Sequence, residues 1–397
     1  MRFPHHHRRL LAGAVLLGTG LSLLTAVAAP PAPAVASPPS SAYTLVFSDE
    51  FDGTALDTTK WHYRTDVKAN SAQRPENVSV SGGYLNVHHR KESYAGKSYT
   101  AGGVVSKQRF RYGYYESRLR VTDGAGWHGS FWLQAGDGTT TYPAEQRTEI
   151  DIFENDSVNP TYTAQNVHLW AGSGAKAASS KTGSYGPSGF DVRQWHTYGV
   201  DWSETSVKFY VDGQLTRTTS YLPSEDTHDY VAMWLTSIGY GALPDDSKLP
   251  SATQFDWVHY WLKDAYVDND GPASYGYTES GPWLDSSLSG WTVGSTTRYA
   301  GCSVAGAAAT WRPTLRAAGT YEVFYRNVVS SNGDPAARLT VTHSAGSTPT
   351  TVNGRSGGTG WVSLGQYGFA AGTAGHVTLT GSGGGCARAD AVKFVRR

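Results

Sequence analysis

The sequence predicts an all-β protein, and three observations support this prediction. Short runs of alternating apolar and polar residues recur along most of the 397 residues, as expected for half-buried strands. No long segment repeats its apolar residues with the 3.6-residue period of an α-helix. The chain also contains 46 Gly, 24 Tyr and 13 Trp, a composition typical of strands joined by tight turns. So many antiparallel strands imply stacked sheets, one of which could curve to form a cleft.

The first 36 residues differ from the rest and predict a secretion signal. Three arginines precede an apolar run over residues 10–29, and sequence rich in Pro and Ala follows. We expect cleavage after Ala36, with Ala28 as the alternative position, and a secreted, extracellular protein. A transmembrane anchor is the competing interpretation of the apolar run.

Charge and length restrict the partners and the number of domains. Removal of the leader takes away three basic residues and no acid, which leaves 30 basic and 33 acidic residues and a net charge of −3. This balance argues against a nucleic-acid partner and, once the signal is removed, against an anionic membrane surface. We assign residues 37–263 to a first domain and residues 264–397 to a second, and we expect a monomer.

The segment 148–154, with the sequence TEIDIFE, contains three carboxylates within a run that otherwise predicts a buried strand. Alternate side chains of a strand share a face, so Glu149 and Asp151 face one side and the two isoleucines face a core. Glu154 then falls on the wrong face. One extra residue, a β-bulge at about residues 152–153, would return it to the face of the other acids.

Three acids on one strand face suit chemistry on a glycosidic bond. In retaining glycosidases two carboxyl groups lie about 5–5.5 Å apart, and one attacks the sugar while the other alternates between acid and base. Crowded like charges raise one another's pKa, which helps one carboxyl stay protonated while another is ionised. The spacing alone also fits an ordinary strand with solvated acids, so the interpretation depends on the rest of the chain.

Residues 43–262 resemble the family 16 glycoside hydrolases in several segments that occur in the family's order. The family signature is E-[ILV]-D-x-(x)-E, and residues 149–154 match its longer, bulged form. Further matching segments are Phe47-Ser48-Asp49-Glu50-Phe51, Phe131-Trp132-Leu133, Val167-His168 and Asp256-Trp257-Val258. The resemblance implies a curved jelly-roll (concanavalin-like) β-sandwich that acts on a polysaccharide.

The resemblance also implies roles for individual residues. Glu149 matches the nucleophile, Asp151 the residue that orients it, and Glu154 the acid/base. We expect Glu149 to be ionised and the pKa of Glu154 to be raised. The candidate sugar-binding residues are Asn77, Trp127, Trp132, Tyr142, Arg147, His168 and Trp234.

The expected activity is retaining, endo-acting hydrolysis of a β-1,3- or β-1,3/1,4-glucan. Phe153 and Trp234 stand where many glucan-cleaving relatives carry Met and Asn, so an agarase, porphyranase or endo-β-galactosidase type remains an alternative. A non-catalytic carbohydrate-binding protein on the same fold is a further alternative, and transglycosylation would use the same residues. We expect no required cofactor; a structural calcium ion near Gly83 and Asp256 is an option in this family.

The second domain has its own alternating strands and predicts a smaller β-sandwich. Segments such as Thr310-Trp311-Arg312-Pro313 and Ala389-Asp390-Ala391-Val392 resemble the golvesin C-terminal domain, which implies carbohydrate binding or a spacer role. Trp283, Trp291 and Trp361 are candidate sugar platforms or core residues. Cys302 and Cys386, the only cysteines, predict a disulfide, with free thiols as the alternative. We expect removal of the domain to spare hydrolysis of soluble substrate.

Overall fold

The computed structural model describes residues 37–397 apart from 145–147, 173, 175–176, 221–229, 272 and 292–294. The predicted signal segment and the candidate sugar-binding residue Arg147 lie outside the described residues. Over the described ranges the regular structure is β-strand with three short 3₁₀ helices, at Pro75–Asn77, Asp246–Lys248 and Ala273–Tyr275. None of the helices in this part of the chain has the length and apolar character needed to cross a bilayer.

The first domain contains the larger sheet assembly, in which 18 strands lie within the described residues. They are β1 Thr44–Asp49, β2 Trp61–Tyr63, β3 Val67–Lys68, β4 Ser71–Gln73, β5 Val78–Ser81, β6 Tyr84–Tyr94, β7 Lys97–Ser106, β8 Gly113–Arg120, β9 Trp127–Gln134, β10 Thr148–Asn155, β11 Thr163–Leu169, β12 Ser179–Lys181, β13 Ser184–Tyr185, β14 His196–Trp202, β15 Ser206–Val211, β16 Gln214–Ser220, β17 Ala232–Gly239 and β18 Ser251–Leu262.

These strands form two layers that are continuous through the hairpin of β6 and β7. One layer has the order β5-β6-β18-β8-β14-β15-β16, and β1 pairs with the far end of β18. The other has the order β2-β7-β17-β9-β10-β11, with β12 and β13 beside β11. The predicted all-β, curved jelly-roll sandwich is therefore confirmed.

The alternation that predicted strands also builds the core between the layers. In β15, Val207, Phe209 and Val211 are buried, whereas the residues between them are half-buried. The core takes side chains from both layers, for example Leu119 of β8 and Phe131 of β9. Burial of these apolar faces contributes about 25 cal/mol per Å² and holds the layers together.

The second domain contains twelve strands among the described residues: β19 Ala265–Asp268, β20 Tyr277–Ser280, β21 Trp283–Ser286, β22 Thr297–Ala300, β23 Ala305–Trp311, β24 Gly319–Asn327, β25 Ala337–His343, β26 Gly346–Val352, β27 Gly360–Phe369, β28 His376–Ser382, β29 Arg388–Ala389 and β30 Ala391–Arg396. They form sheets of the orders β19-β30-β24-β27, β20-β23-β28-β25-β26 and β21-β22-β29 around a core of their own. The predicted second β-sandwich is confirmed.

The tryptophans and cysteines of the second domain have structural partners. Trp283 is buried in the domain core, and Trp361 packs edge to face against Trp291 at a ring distance of 5.3 Å. Trp283 is therefore a core residue, whereas Trp291 and Trp361 are half-buried, and a sugar-binding role for these two remains a prediction. Cys302 and Cys386 form the predicted disulfide, so the free-thiol alternative is wrong.

The two domains meet through an aromatic joint, which we define as Tyr112, Tyr266 and Trp291. Tyr112 belongs to the core of the first domain, and both second-domain rings pack against that core. Tyr266 and Trp291 are stacked at 5.6 Å, and Tyr266 lies 5.0 Å from Tyr112. Two residues separate β18 from β19, so the chain enters the second domain directly, without a flexible linker.

Polar contacts surround the aromatic joint. The Arg396 guanidinium donates to the carbonyl of Ala42 at 2.9 Å, and Lys393 Nζ donates to Glu204 Oε1 at 2.9 Å. Each contact joins the last strand of the second domain to a segment of the first. The second domain is thus fixed to the first by both apolar and charged groups.

Gly83 and Asp256, the residues of the calcium site that the family resemblance allows, lie on the layer opposite the acidic strand. Gly83 forms the turn between β5 and β6 with a φ of 79°, a conformation that glycine adopts without strain. The Asp256 carboxylate is paired with the guanidinium of Arg118 at 2.5 Å. Calcium binding remains a prediction.

Candidate active site

A β-bulge lies in the middle of the acidic strand β10. In the pairing with β9, Asp151 is opposite Trp132 and Phe153 is opposite Phe131, so Ile152 is the extra residue. The pairing with β11 shifts over the same stretch. The bulge predicted at residues 152–153 from the parity of the acids is therefore confirmed.

The bulge sorts the side chains of β10 between core and cleft. Ile150 and Ile152 are fully buried in the core between the layers. Glu149, Asp151 and Glu154 all line one cleft on the opposite face. The bulge thus brings the three acids of the segment to one surface, which an unbroken strand would not do.

Neighbouring side chains hold the first two acids. Gln134 of β9 donates from Nε2 to Glu149 Oε2, and His168 of β11 has its Nε2 3.2 Å from Asp151 Oδ2. The other ring nitrogen of His168 lies 2.6 Å from Ser180 Oγ. Asp151 is 2% exposed, so the central carboxylate is the most enclosed of the three.

Glu154 is held from both flanking strands. His128 Nε2 of β9 lies 2.9 Å from Glu154 Oε1, and Asn166 Nδ2 of β11 donates to Glu154 Oε2 at 2.9 Å. Both oxygens of this carboxyl therefore have a partner, and its plane is fixed relative to the cleft.

Burial and mutual repulsion set the protonation of the acids. Burial raises the pKa of Glu149 well above its ordinary range, and adjacent Asp151 adds to the effect. Burial, with the charge of Glu154, likewise raises the pKa of Asp151. Burial also opposes ionisation of Glu154, but the hydrogen bond and the charge interaction with His128, together with the hydrogen bond from Asn166, outweigh it and lower the pKa of Glu154.

These directions differ from the expected order, in which Glu149 is ionised and the pKa of Glu154 is raised. The reason is local: Glu154 has hydrogen-bond donors on both oxygens, whereas Glu149 is close to another carboxyl. Because the three groups interact strongly, their protons are bound by the group as a whole rather than by one residue.

The cleft has an aromatic wall and a basic side. Its volume is about 380 Å³, and its lining includes Trp132, Tyr142, Tyr240, Arg64 and Lys68. Tyr142 and Tyr240 are 41% and 49% exposed, so their rings are accessible to a ligand. Lys68 Nζ lies 5.7 Å from the centre of the Tyr142 ring.

Three of the candidate sugar-binding residues are buried away from the cleft, and these assignments are corrected. Asn77 is fully buried and donates to the carbonyl of Ala101. Trp127 is also fully buried and stacks on His89 at 4.3 Å. Trp234 is 2% exposed and lies behind Trp132. None of these side chains can offer a face to a sugar.

Trp132, Tyr142 and Trp170 line the cleft with the acids, and His168 lies beside Asp151. A sugar-binding role for the candidates among them remains a prediction. The prediction for Arg147 falls outside the described residues. The structure adds Gln134, His128 and Asn166, which contact the acids directly.

A simple signal would have found two of these additional residues. His128 and Gln134 lie four residues before and two after Trp132, so all three share one face of β9. Asn166 is opposite Asp151 on β11, a pairing that only the register of the two strands reveals.

Glu149, Asp151 and His168 also form the one group of potential metal ligands found within the described ranges. One ligand atom from each lies within 4.8 Å of the others. The expectation that no cofactor is required remains a prediction.

A curved β-sandwich whose cleft contains three carboxyl groups and an accessible aromatic wall has the properties of a polysaccharide-cleaving glycoside hydrolase. The family profile described as "Beta-porphyranase A-D, GH16 domain" matches residues 44–263, which is more than half of the chain. The profile described as "Golvesin C-terminal domain" matches residues 265–396. The chain belongs to glycoside hydrolase family 16, a family of endo-glycanases.

Individual relatives differ in their substrates. The chain is 29% identical over 210 residues to a β-glucanase of Rhodothermus marinus, covering 48% of this chain and 70% of the relative. It is 29% identical over 243 residues to β-porphyranase E of Zobellia galactanivorans, covering 53% and 84%. The crystal structure of porphyranase B from that organism matches with a TM-score of 0.48 and 21% identity, covering 55% of this chain and 92% of the other.

Proposed function

We propose that this protein is a secreted, retaining endo-β-glycanase that hydrolyses a polysaccharide. The observation that carries the proposal is the common face of Glu149, Asp151 and Glu154, which all line one cleft. Membership of family 16 supports the hydrolase class, and the disulfide supports an oxidising, extracellular location. The exposed rings of Tyr142 and Tyr240 provide surfaces along which a glycan chain can lie.

In the proposed reaction Glu149 attacks the anomeric carbon while Glu154 protonates the departing glycosidic oxygen. Glu154 then takes a proton from water, and the resulting hydroxide displaces the sugar from Glu149. Asp151 lies between them and shares the negative charge of the site. The first step needs Glu149 ionised and Glu154 protonated, so the proton held by the group must reside on Glu154 when the substrate reacts.

Loss of either glutamate tests the proposal. Glu149→Gln and Glu154→Gln should each lower the release of reducing ends by at least about 10²-fold, since general acid–base catalysis alone contributes that much. Asp156→Asn is the matched control, because Asp156 follows β10 but is not part of the cleft lining. Equal activity of the wild type and both glutamine variants would leave a non-catalytic, carbohydrate-binding protein as the better explanation.

Retention has its own test. Proton NMR of the first product should show the β-anomer of the new reducing end before mutarotation, because two successive inversions restore the starting configuration. Appearance of the α-anomer first would mean direct attack by water and would overturn the covalent route.

Two classes of polysaccharide are candidate substrates. A β-1,3- or β-1,3/1,4-glucan is the substrate expected from the sequence. An anionic galactan is a second candidate, favoured by Lys68 in the cleft lining and by the porphyranase-type profile. Chromatography of products from laminarin, lichenan, agarose and porphyran would separate them. Lys68→Met should raise the KM for porphyran and leave the KM for neutral glucans unchanged if an anionic substituent binds there.

A further inference from the structure

His128 occupies a defined position beside the acid/base carboxyl. It lies on β9, one strand away from Glu154, and its side chain is 18% exposed. Nε2 is 2.9 Å from Glu154 Oε1, and the Tyr240 ring lies 5.3 Å away at an angle of 70°. The imidazole thus separates the carboxyl from the Tyr240 side of the cleft.

The second oxygen of Glu154 has a donor with a fixed orientation. Asn166 Nδ2 donates to Glu154 Oε2 at 2.9 Å, while Asn166 Oδ1 accepts from the backbone N–H of Gly183 at 3.3 Å. Because the amide oxygen is used by Gly183, the NH₂ group must face the carboxyl. The Asn166 side chain therefore cannot flip, and it always presents an N–H donor to Glu154 Oε2.

The position of the proton on His128 follows from its other nitrogen. Nδ1 is buried and has no hydrogen-bond partner. A proton on Nδ1 would be buried without an acceptor, which is costly, whereas an unpaired lone pair costs less. The neutral ring therefore keeps its proton on Nε2 and donates it to Glu154.

We infer that His128 is a positioning residue that stabilises the ionised form of Glu154 and so determines the pH at which this residue acts as acid or base. The inference rests on the proposed function, because it takes Glu154 as the acid/base. His128 favours the form of Glu154 that activates water, and it makes the protonated form available only at lower pH.

Other groups also face Glu154 and must stay constant in any test. Asp151 and Glu149 lie on the same strand, His168 on β11 and Lys68 on β3. Tyr162, near the end of β10, also senses the charge of Glu154. A substitution confined to His128 leaves all of them in place, so a change in the titration of Glu154 can be assigned to the lost hydrogen bond.

The test compares His128→Phe, which removes the donor, with His128→Gln, which retains an amide N–H. Carbon-13 NMR of glutamate-labelled protein, with the Glu154 signal assigned from Glu154→Gln, measures the titration directly. We expect His128→Phe to raise the Glu154 titration midpoint by at least about one pH unit, as expected for the loss of a hydrogen bond to a charged group. His128→Gln should recover part of this shift and is also the milder change for folding.

Kinetics provides a second readout. The alkaline limb of kcat/KM should move to higher pH by a similar amount in His128→Phe. An unchanged Glu154 midpoint in both folded variants, or a loss of kcat that is equal at all pH values, would overturn the inference. If the wild type hydrolyses no glycan, the proposed function fails, but the NMR titration still decides the effect of His128 on Glu154.

Discussion

Asp151 shows how the active site costs stability. Its carboxyl is 2% exposed, and its Oδ2 has no hydrogen-bond partner although His168 Nε2 is 3.2 Å away. A buried carboxylate beside another carboxyl is unfavourable. Functional sites commonly retain such arrangements at the expense of the fold. Replacement of Asp151 should therefore increase the stability of the fold and decrease the activity.

Asp151→Asn should raise the free energy of unfolding at pH 7 by about 1–3 kcal/mol, while kcat falls. Because the pKa of Asp151 is raised in the folded state, the cost of its charge applies at neutral pH and disappears below the unfolded value of about 3.9. Thermal unfolding at pH 7 and pH 3.5 measures the difference. A stability gain that is the same at both pH values would contradict this explanation.

Glu116 provides a second pH effect, far from the cleft. It accepts from Tyr114 Oη and from the backbone N–H of Ser37, and burial raises its pKa to about 7. Since the folded pKa is raised, its stabilising contribution is complete below about 4.3 and is lost as the pH rises through about 7. Glu116→Gln should remove this loss of about 3 kcal/mol. The difference in Tm between variant and wild type should grow from pH 4.5 to pH 8; a constant difference would exclude a role for Glu116 ionisation.

At the level of elements, β9 and β17 hold two tryptophans in different roles. Trp132 and Trp234 are opposite each other in the register, with their rings 4.6 Å apart. Trp132 lines the cleft, whereas Trp234 is buried and donates from Nε1 to the carbonyl of Gln134. One ring is thus available to a ligand and the other supports it from behind.

Alanine substitution should separate these roles. Trp234→Ala should lower the free energy of unfolding by about 3–5 kcal/mol, as for other buried Trp residues. Trp132→Ala should mainly raise KM, because a sugar-stacking surface is lost, with a smaller effect on Tm. Urea unfolding and steady-state kinetics on one soluble glycan measure both quantities. If Trp132→Ala loses stability without any change in KM, the ring has no role in binding.

The same elements show what the sequence can predict. The bulge in β10 was predictable because a single acid had the wrong parity, which is a local property. Trp127 and Trp132 are five residues apart and must face opposite sides of a regular strand, so parity could also have removed Trp127 from the candidates. Trp234 is different: it is covered by Trp132 and by the loop at Gly136, and such long-range packing leaves no local pattern.

At the level of the whole molecule, the second domain is part of the folded unit. The described residues of both domains fall within one compact unit, and Tyr266 and Trp291 of the aromatic joint pack against the core of the first domain. This packing predicts that removal of the second domain lowers stability; the expectation that removal spares hydrolysis of soluble substrate remains a prediction. A joint of this kind transmits stability between domains, in contrast to a flexible tether.

A chain ending at Lys263 should lose stability because Tyr112 would be exposed. In the full-length protein, Trp291→Ala should lower Tm and broaden or split the unfolding transition, because the ring packs against the core of the first domain. Trp283→Ala, a core substitution within the second domain, is the control for general damage. Calorimetry measures both variants. Full activity and unchanged Tm of the 263-residue chain would show that the domains are independent.

Reducing agents would act on this protein at the disulfide of the second domain, away from the acidic strand. Its two cysteines, Cys302 and Cys386, are joined in the second domain, and the acidic strand contains no thiol. A reductant would therefore loosen the second domain first, and its effect would reach the first domain through the aromatic joint and the polar contacts around it. Loss of activity after reduction would then measure how strongly the stability of the first domain depends on the second. The stability of the first domain, which has no cysteine, would in that case depend on the redox state of its neighbour.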